Sequence, residues 1–548
     1  MKFPALLFAL LLTCGAALAQ HEQHSMGNKD EATLVEGMGT LRHPVATKSA
    51  EAQKFFDQGL SFVYAFNHDE AVRSFKRAAD LDPDLAMAYW GVAYALGPNI
   101  NLDVDPEREI AAYNAVGRAR ALSAKASPQE RDYIEALARR YTNDAAAKPE
   151  TLHRLASDFS GAMGALSKKY PNDLDAAVLY AESLMDLRPW QLWNKDGSPA
   201  EGTTEIVATL ESVLKRDPNH VGAIHYYIHA VEASPHPERA LSYAPRLKQL
   251  MPAAGHIVHM PAHIYERTGD YAAAARSNED AAAADRAYIT RTGGQGVYPL
   301  MYYNHNLHFM AVAYSMEGRY SDAMRAARQL EDNVGPHLQG MPMLGRFMQT
   351  SALLLVRFRR WDDILKLPPP DANPTDINLI RHFARGMALA ATGKAAEAES
   401  ERQVFLTVAQ TAPARMRHGA DVMGDILHLA EKVLSARIAF ARQDREAAIG
   451  LLRQAVEVQD NMAYDEPPAW FLPARESLGG VLLAEGRASE AEAVFRADLE
   501  RNRRNGRSLF GLWKSLEAQH KTRGASAARR EFEAAWKNAD TQLRVEDL

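Results

Sequence analysis

From Ser49 onward the chain reads as one amphipathic helix after another, and a single small pattern keeps returning in phase. Gly269-Asp270-Tyr271 is followed by Ala274, and Gly318-Arg319-Tyr320 by Ala323. Gly393-Lys394-Ala395 leads in the same way to Ala398, and Gly486-Arg487-Ala488 to Ala491 and Phe495. Near the start, Glu51 to Phe66 and Asp69 to Leu81 form two amphipathic stretches joined by Asn67-His68 and closed by Pro83. Runs of β-branched residues and strand-like alternation are almost absent. A chain of 548 residues exceeds what one compact core supports, and length alone would divide it into three or four domains. A helix-pair repeat escapes that limit, because each unit only has to bury its face against a neighbour. The expected class is therefore all-α.

Ala71, Phe75 and Pro83 stand at the offsets of the 34-residue tetratricopeptide pattern, and the returning Gly/Ala phase fits it. The chain resembles the tetratricopeptide (TPR) family over most of its length, with weaker register between about Pro98 and Pro171. That resemblance implies an α-solenoid, a right-handed superhelix of stacked helix pairs whose first helices line a concave face. It also implies a groove able to bind a peptide or protein partner. Four strings, Ala86-Met87-Ala88-Tyr89-Trp90-Gly91, Gly97-Pro98-Asn99-Ile100-Asn101, Asp186-Leu187-Arg188-Pro189-Trp190 and Glu466-Pro467-Pro468-Ala469-Trp470, look like those of a group of exported bacterial TPR proteins. They support the fold and carry no activity.

Lys2, the apolar run Phe3 to Leu12 and Ala17-Leu18-Ala19 read as a signal peptide over residues 1–19. Lipid attachment at Cys14 is the alternative, opposed by Thr13 and by the clean site at Ala19. Cleavage one residue later would place His21 at a copper-chelating N-terminus. The expected compartment is the periplasm or the exterior. Residues 20–46 are polar and aperiodic and read as flexible, residues 47–370 as the superhelix, and 371–548 as C-terminal repeat helices ending in a capping pair. No stretch approaches the ~20 apolar residues of a transmembrane helix. A net charge of −6 without a basic stripe excludes nucleic acid as a partner. Cys14 is the only cysteine, so any metal in the exported chain has to be held by imidazole, carboxylate or water.

Three clusters hold seven of the 19 histidines, and the repeat turns their spacing into geometry. Ala240 and Pro252 set position 1 of one repeat at Val221, and Gly269 and Ala274 set the next at Gly255. Gly318 and Ala323 set a third at Asn304, after a 15-residue insertion carrying Gly293, Gly294 and Gly296. His225, His259 and His308 then share position 5, His229 and His263 position 9, His256 and His305 position 2, and Glu232 and Glu266 position 12. Those positions are three or four apart, so they line one stripe of each helix. In the preceding repeat the same frame puts Glu182 at position 9, beside His229.

Histidines at matching positions on packed helices predict one convergent transition-metal site, with Glu182, Glu232 and Glu266 as further ligands, a general base or solvated acids. Nitrogen donors with carboxylates nearby suit copper or zinc ahead of iron, and seven histidines leave room for two ions or for one ion with outer histidines. An open coordination position would allow catalysis. The competing reading is a metal-free scaffold whose groove histidines hydrogen-bond a peptide or envelope protein. Pro261, between His259 and His263, predicts a bend in a helix beginning near Gly255. Tyr298, Tyr302 and Tyr303 read equally as closing over the site or as packing. The distance of Glu466 to Trp470 from the ladder in sequence argues against a role for that string in chemistry.

Overall fold

The computed structural model describes residues 32–294, 296–371, 375–411 and 422–548. The stretch expected to be a signal peptide, with Cys14, and His21 and His24 lie outside the described residues. The described chain is all-α, an array of antiparallel helix pairs with no strand beyond two isolated bridges. Its first pair shows why these residues fold so. Helix Ala50–Tyr64 starts where the Ser49 side chain accepts the Ala52 N–H, and helix His68–Leu81 starts where Asn67 accepts that of Glu70. Phe66 takes a left-handed φ of 55° between them, which makes the turn tight.

The recurring phenylalanine explains the phase. A Cβ added at Gly59 or at Gly91 would lie 2.4 to 2.8 Å from the Phe75 ring. Those glycines stand sixteen residues either side of Phe75, and the arrangement returns at the far end, where Phe495 fills the space left by Gly479 and Gly511. One ring thus wedges three consecutive helices together, and the wedge needs the missing Cβ atoms. The capping pair is Gly506–Ala518 and Thr522–Ala535.

Departures from the regular repeat lie near the histidines. The second helix expected after Val221–Val231 is replaced by two short 3₁₀ turns, Pro237–Ser242 and Ala244–Arg246, and one α-turn at Leu247–Leu250. Pro237 and Pro245 remove the donors a longer helix needs, while the consensus Ala240 remains fully buried. Pro261 divides the next helix into Gly255–His259 and Pro261–Thr268, joined through Met260 at φ −50° and ψ −35°. The chain bends there without leaving helical geometry. Most of the glycine-bearing insertion is helical, because one helix runs to Thr292 and the next starts at Val297.

Residues 32–46, expected to be flexible, instead lie along the first repeats. The Val35 N–H donates to Gln58, Gly37 accepts the Ala253 N–H, and the His43 ring meets Asp175 at 2.8 Å. Met38 and His43 are buried, so the stretch is held by the groups it covers. Distant parts of the array also meet. The Tyr288 hydroxyl reaches Glu70 at 3.1 Å, Lys195 donates to the Asn461 carbonyl at 2.7 Å, and Arg503 pairs with Glu238 at 3.3 Å. Such closures turn the expected concave stripe into an interior seam. Among the described residues no helix is long and apolar enough to cross a membrane.

Candidate metal centre

Six of the seven ladder histidines gather into two adjoining sets. Ligand nitrogens of His225, His229 and His256 lie within 4.8 Å of one another, and so do those of His259, His263 and His305. Each set takes an i, i+4 pair from one helix and the position-2 histidine of the following repeat. The expectation that equal positions meet is therefore corrected. Position 2 of one first helix faces positions 5 and 9 of the one before, which corresponds to an axial stagger of about five residues, or roughly 7.5 Å at 1.5 Å each. This stagger leaves His308 out. Its set would require a histidine at position 9 of its own helix, where Val312 stands. His308 packs instead against Phe347 and Phe471, its Nδ1 without a partner, and burial lowers its pKa to about 3.

The two sets share a wall. His229 and His263 have ring centroids 5.8 Å apart, as do His256 and His259. Within the sets, His225 Nε2 meets His256 Nε2 at 3.1 Å and His259 Nε2 meets His263 Nε2 at 2.7 Å. Two imidazoles on one tetrahedral ion, with bonds of ~2.0–2.1 Å, hold their nitrogens ~3.3 Å apart. These pairs are thus at or slightly inside that spacing.

What aims the nitrogens is the layer behind them. His225 Nδ1 donates to the Tyr64 carbonyl at 2.7 Å, His229 Nδ1 faces Glu232 Oε1 at 2.9 Å, and His259 Nδ1 faces Asn278 Oδ1 at 2.6 Å. His263 Nδ1 is ion-paired to Glu232 Oε2 at 2.5 Å and also to Glu466. An acceptor on Nδ1 fixes the proton there and turns the Nε2 lone pair inward. Glu232 does this for one histidine of each set. His229 Nε2, so aimed, is buried without a partner, and His256 Nδ1 likewise has none.

Electrostatics follow from the same contacts. Burial and neighbouring imidazoles push His225, His256, His259 and His305 well below the ordinary histidine range. Burial opposes charge on His263 too, but Glu232 and Glu466 outweigh it and raise its pKa to about 10. A proton on His263 then separates the two lone pairs that would otherwise meet between His259 and His263. Glu232 is held below the carboxylate range, against its burial, by His263 and His229. Burial, and after it the Glu232 charge, lifts Glu466 to about 8, while burial lifts Glu266 to about 7.

Of the predicted acids, Glu232 and Glu266 adjoin the centre and Glu182 does not. Glu182 accepts from the Tyr94 hydroxyl at 2.5 Å, in a separate buried cluster where Arg140 pairs with Asp186 at 2.5 Å. The interior Arg140 guanidinium holds Asp186, the residue that ends helix Leu174–Met185, one turn beyond Glu182. Sequence reasoning missed Glu466, whose carboxylate joins Glu232 on His263, because only closure of the array brings residue 466 to residue 263. The string Glu466 to Trp470 was the available signal. Two of the three loop tyrosines belong to the site: Tyr298 accepts the His256 N–H at 3.0 Å, and Tyr302 sits edge-on to His256 at 4.8 Å. Tyr303 bonds Gln329 instead. Phe66 stacks on His229 and His256, and Trp190, at φ 61° and 40% exposed, meets the His229 ring edge-on. His225, His229, His256, His259 and His263 are at most 3% exposed, so the stripe is sealed rather than open to a groove; His305 alone is half-buried.

The molecule is thus a TPR-like α-solenoid with a sealed histidine seam at its centre. No family model and no curated protein matches the chain. Among solved structures it is similar to the human IFIT1 dimer with PPP-AAAA, at 12% identity over 89% of this chain and 91% of that one, with a TM-score of 0.33. Yeast Tom70 matches at 9% identity over 87% and 90%, with a TM-score of 0.29. The APC/C hetero-tetramer Cut9-Hcn1 matches at 13% over 89% and 74%, also with 0.29. Similarities of this size say nothing of what this chain binds.

Proposed function

We propose that this is an exported metalloprotein that seats two transition-metal ions, copper or zinc ahead of iron, in the adjoining sets His225/His229/His256 and His259/His263/His305. The observation that carries the reading is the common aim of the Nε2 atoms. Three Nδ1 atoms are hydrogen-bonded to acceptors, that of His263 is ion-paired to Glu232, and the nitrogens on the far side of these rings meet each other or nothing. Carboxylate–histidine pairs of this kind are what orients imidazole toward a metal. The donors are imidazole nitrogens, which suit copper and zinc once an incoming ion displaces the His263 proton, and the buried carboxyls of Glu232, Glu266 and Glu466 can balance the ions' charge. Three imidazoles leave a coordination position free on each ion, as in catalytic metal sites. Bound ions would supply Lewis acidity or an activated water there. Glu466 and Glu266, both held near neutral pKa by burial, are placed to hold or release a proton beside His263.

Metal analysis of tag-free protein tests the reading. About two equivalents of copper or zinc are expected, falling to about one in His229→Ala and again in His259→Ala, in line with one ion per three-histidine set. A metal-free protein whose melting temperature ignores added copper, zinc and iron would overturn it. A helix-pair scaffold also fits a protein-interaction role, the competing metal-free reading. A partner could not touch the sealed stripe, however, so that role would belong to other surfaces.

A further inference from the structure

A second cavity lies away from the histidines, between helices Thr350–Arg357, Asp376–Ala391, Val422–Ala441 and Ala474–Ala484. It is narrow, with about 80 Å³ of space for water-sized molecules, and opens to solvent at its mouth. Trp361, Phe383, Met387, Val433, Phe440 and Trp470 make its wall apolar and largely aromatic. Its charged residues are unbalanced. Arg357, Arg359, Arg437 and Arg507 line it with a single acidic side chain, Glu476.

That carboxylate is fully used. It takes Arg507 Nε at 2.6 Å, Arg357 Nη1 at 3.4 Å and the Asn505 amide at 2.8 Å. Arg359 donates Nε to the Asp547 carbonyl at 2.7 Å and has no ion pair among the described residues. Arg437 has none either, and its guanidinium lies 6.0 Å from the Trp361 centroid and 5.9 Å from that of Phe440. Arg359 lies 6.0 Å from the same Trp361 ring. Leu548 lines the cavity beside Gly480. A guanidinium keeps its proton in a protein, so two such groups crowded against aromatic walls carry a lasting cost that a bound anion removes. Burial, with the neighbouring guanidiniums, pushes the Arg359 pKa well below its usual value, in keeping with that crowding.

We infer that this cavity is a binding site for an amphipathic organic carboxylate, its head held between Arg359 and Arg437 and its apolar body covered by Trp361, Phe383, Met387 and Trp470. A small inorganic anion would leave the aromatic wall unused, and an apolar molecule without a charge would leave both guanidiniums unpaired. Nothing in this assignment depends on the metal centre.

Calorimetry on the full chain, read alongside tryptophan fluorescence, tests it with octanoate, octanol and inorganic phosphate as probes. Octanoate is expected to bind saturably at one site and to shift the emission. Octanol and phosphate should each bind about 10- to 100-fold more weakly, the equivalent of one charge-assisted hydrogen bond. Arg437→Met should weaken octanoate by the same factor, while Arg437→Lys keeps most of the affinity. Should Arg437→Met fail to fold, Arg359→Met makes the same comparison. The inference is overturned if octanoate does not saturate, if octanol or phosphate matches it, or if neither methionine variant changes its affinity.

Discussion

Asp285 shows what burial does to a single group here. It is fully buried, accepts from the Tyr298 hydroxyl at 3.1 Å and from the Asn306 amide at 2.7 Å, and forms no ion pair among the described residues. Burial raises its pKa to about 7 in spite of those two donors. The unfolded carboxyl ionises near 3.9, so between that value and about 7 the folded state holds one more proton than the unfolded state. Stability therefore falls as pH rises through this window, by about 1.4 kcal/mol per unit of pKa difference. Asp285→Asn should remove the dependence, and thermal melts from pH 5 to pH 8 should show the variant gaining on the parent as pH rises. Equal slopes for both proteins would refute this. Glu232 supports a second prediction, since it is the one acceptor behind a histidine of each set. Glu232→Gln should lower the affinity for both ions about 10- to 100-fold, as loss of such an outer partner does. Competition titrations against a chelator should show both binding steps moving. A change in only one would place Glu232 behind a single ion.

Helices were readable from the sequence where the wedge repeats, and less so where it does not. Ala71, Phe75 and Pro83 located the first repeat because the Phe75 ring needs Gly59 and Gly91 at fixed distances along the chain. Gly59→Ala and Gly91→Ala should each cost about 1–3 kcal/mol through overpacking, measurable by urea melts, and the same holds at Gly479 and Gly511 around Phe495. A variant as stable as the parent would mean that Phe75 can swing aside. The face of each histidine helix was also readable, since 3.6-residue periodicity puts positions 2, 5 and 9 together. Which histidines meet across helices was not, because the stagger of packed helices depends on side chains at the contact and leaves no period in the sequence. The same gap misplaced Glu182: its helix face was right, but Arg140 faces it from a region of weak register.

Across the whole molecule, the centre is assembled from parts far apart in sequence. Tyr64 and Phe66 come from the first pair, six histidines from the middle, and Glu466 from the stretch before helix Ala474–Ala484. The string Glu466 to Trp470 marked the stretch, but nothing local to it showed this closure onto the histidines. It implies that ions binding the folded form stabilise the entire array, by about 4 kcal/mol at a free concentration a thousand times Kd. Chelation should lower the melting temperature as one cooperative transition; an unchanged melt would mean that the sets are not filled. Glu466 and Trp470 stand four residues apart on one stretch, the first against His263 and the second in the arginine-lined cavity. Directly after Trp470, Phe471 meets the His308 ring and lends its carbonyl to Arg357. Any shift of that stretch transmits work between the two cavities, and such work is reciprocal. The factor by which metal changes octanoate affinity must then equal the factor by which octanoate changes metal affinity, and a thermodynamic cycle closed with four titrations would give the size and sign of that exchange.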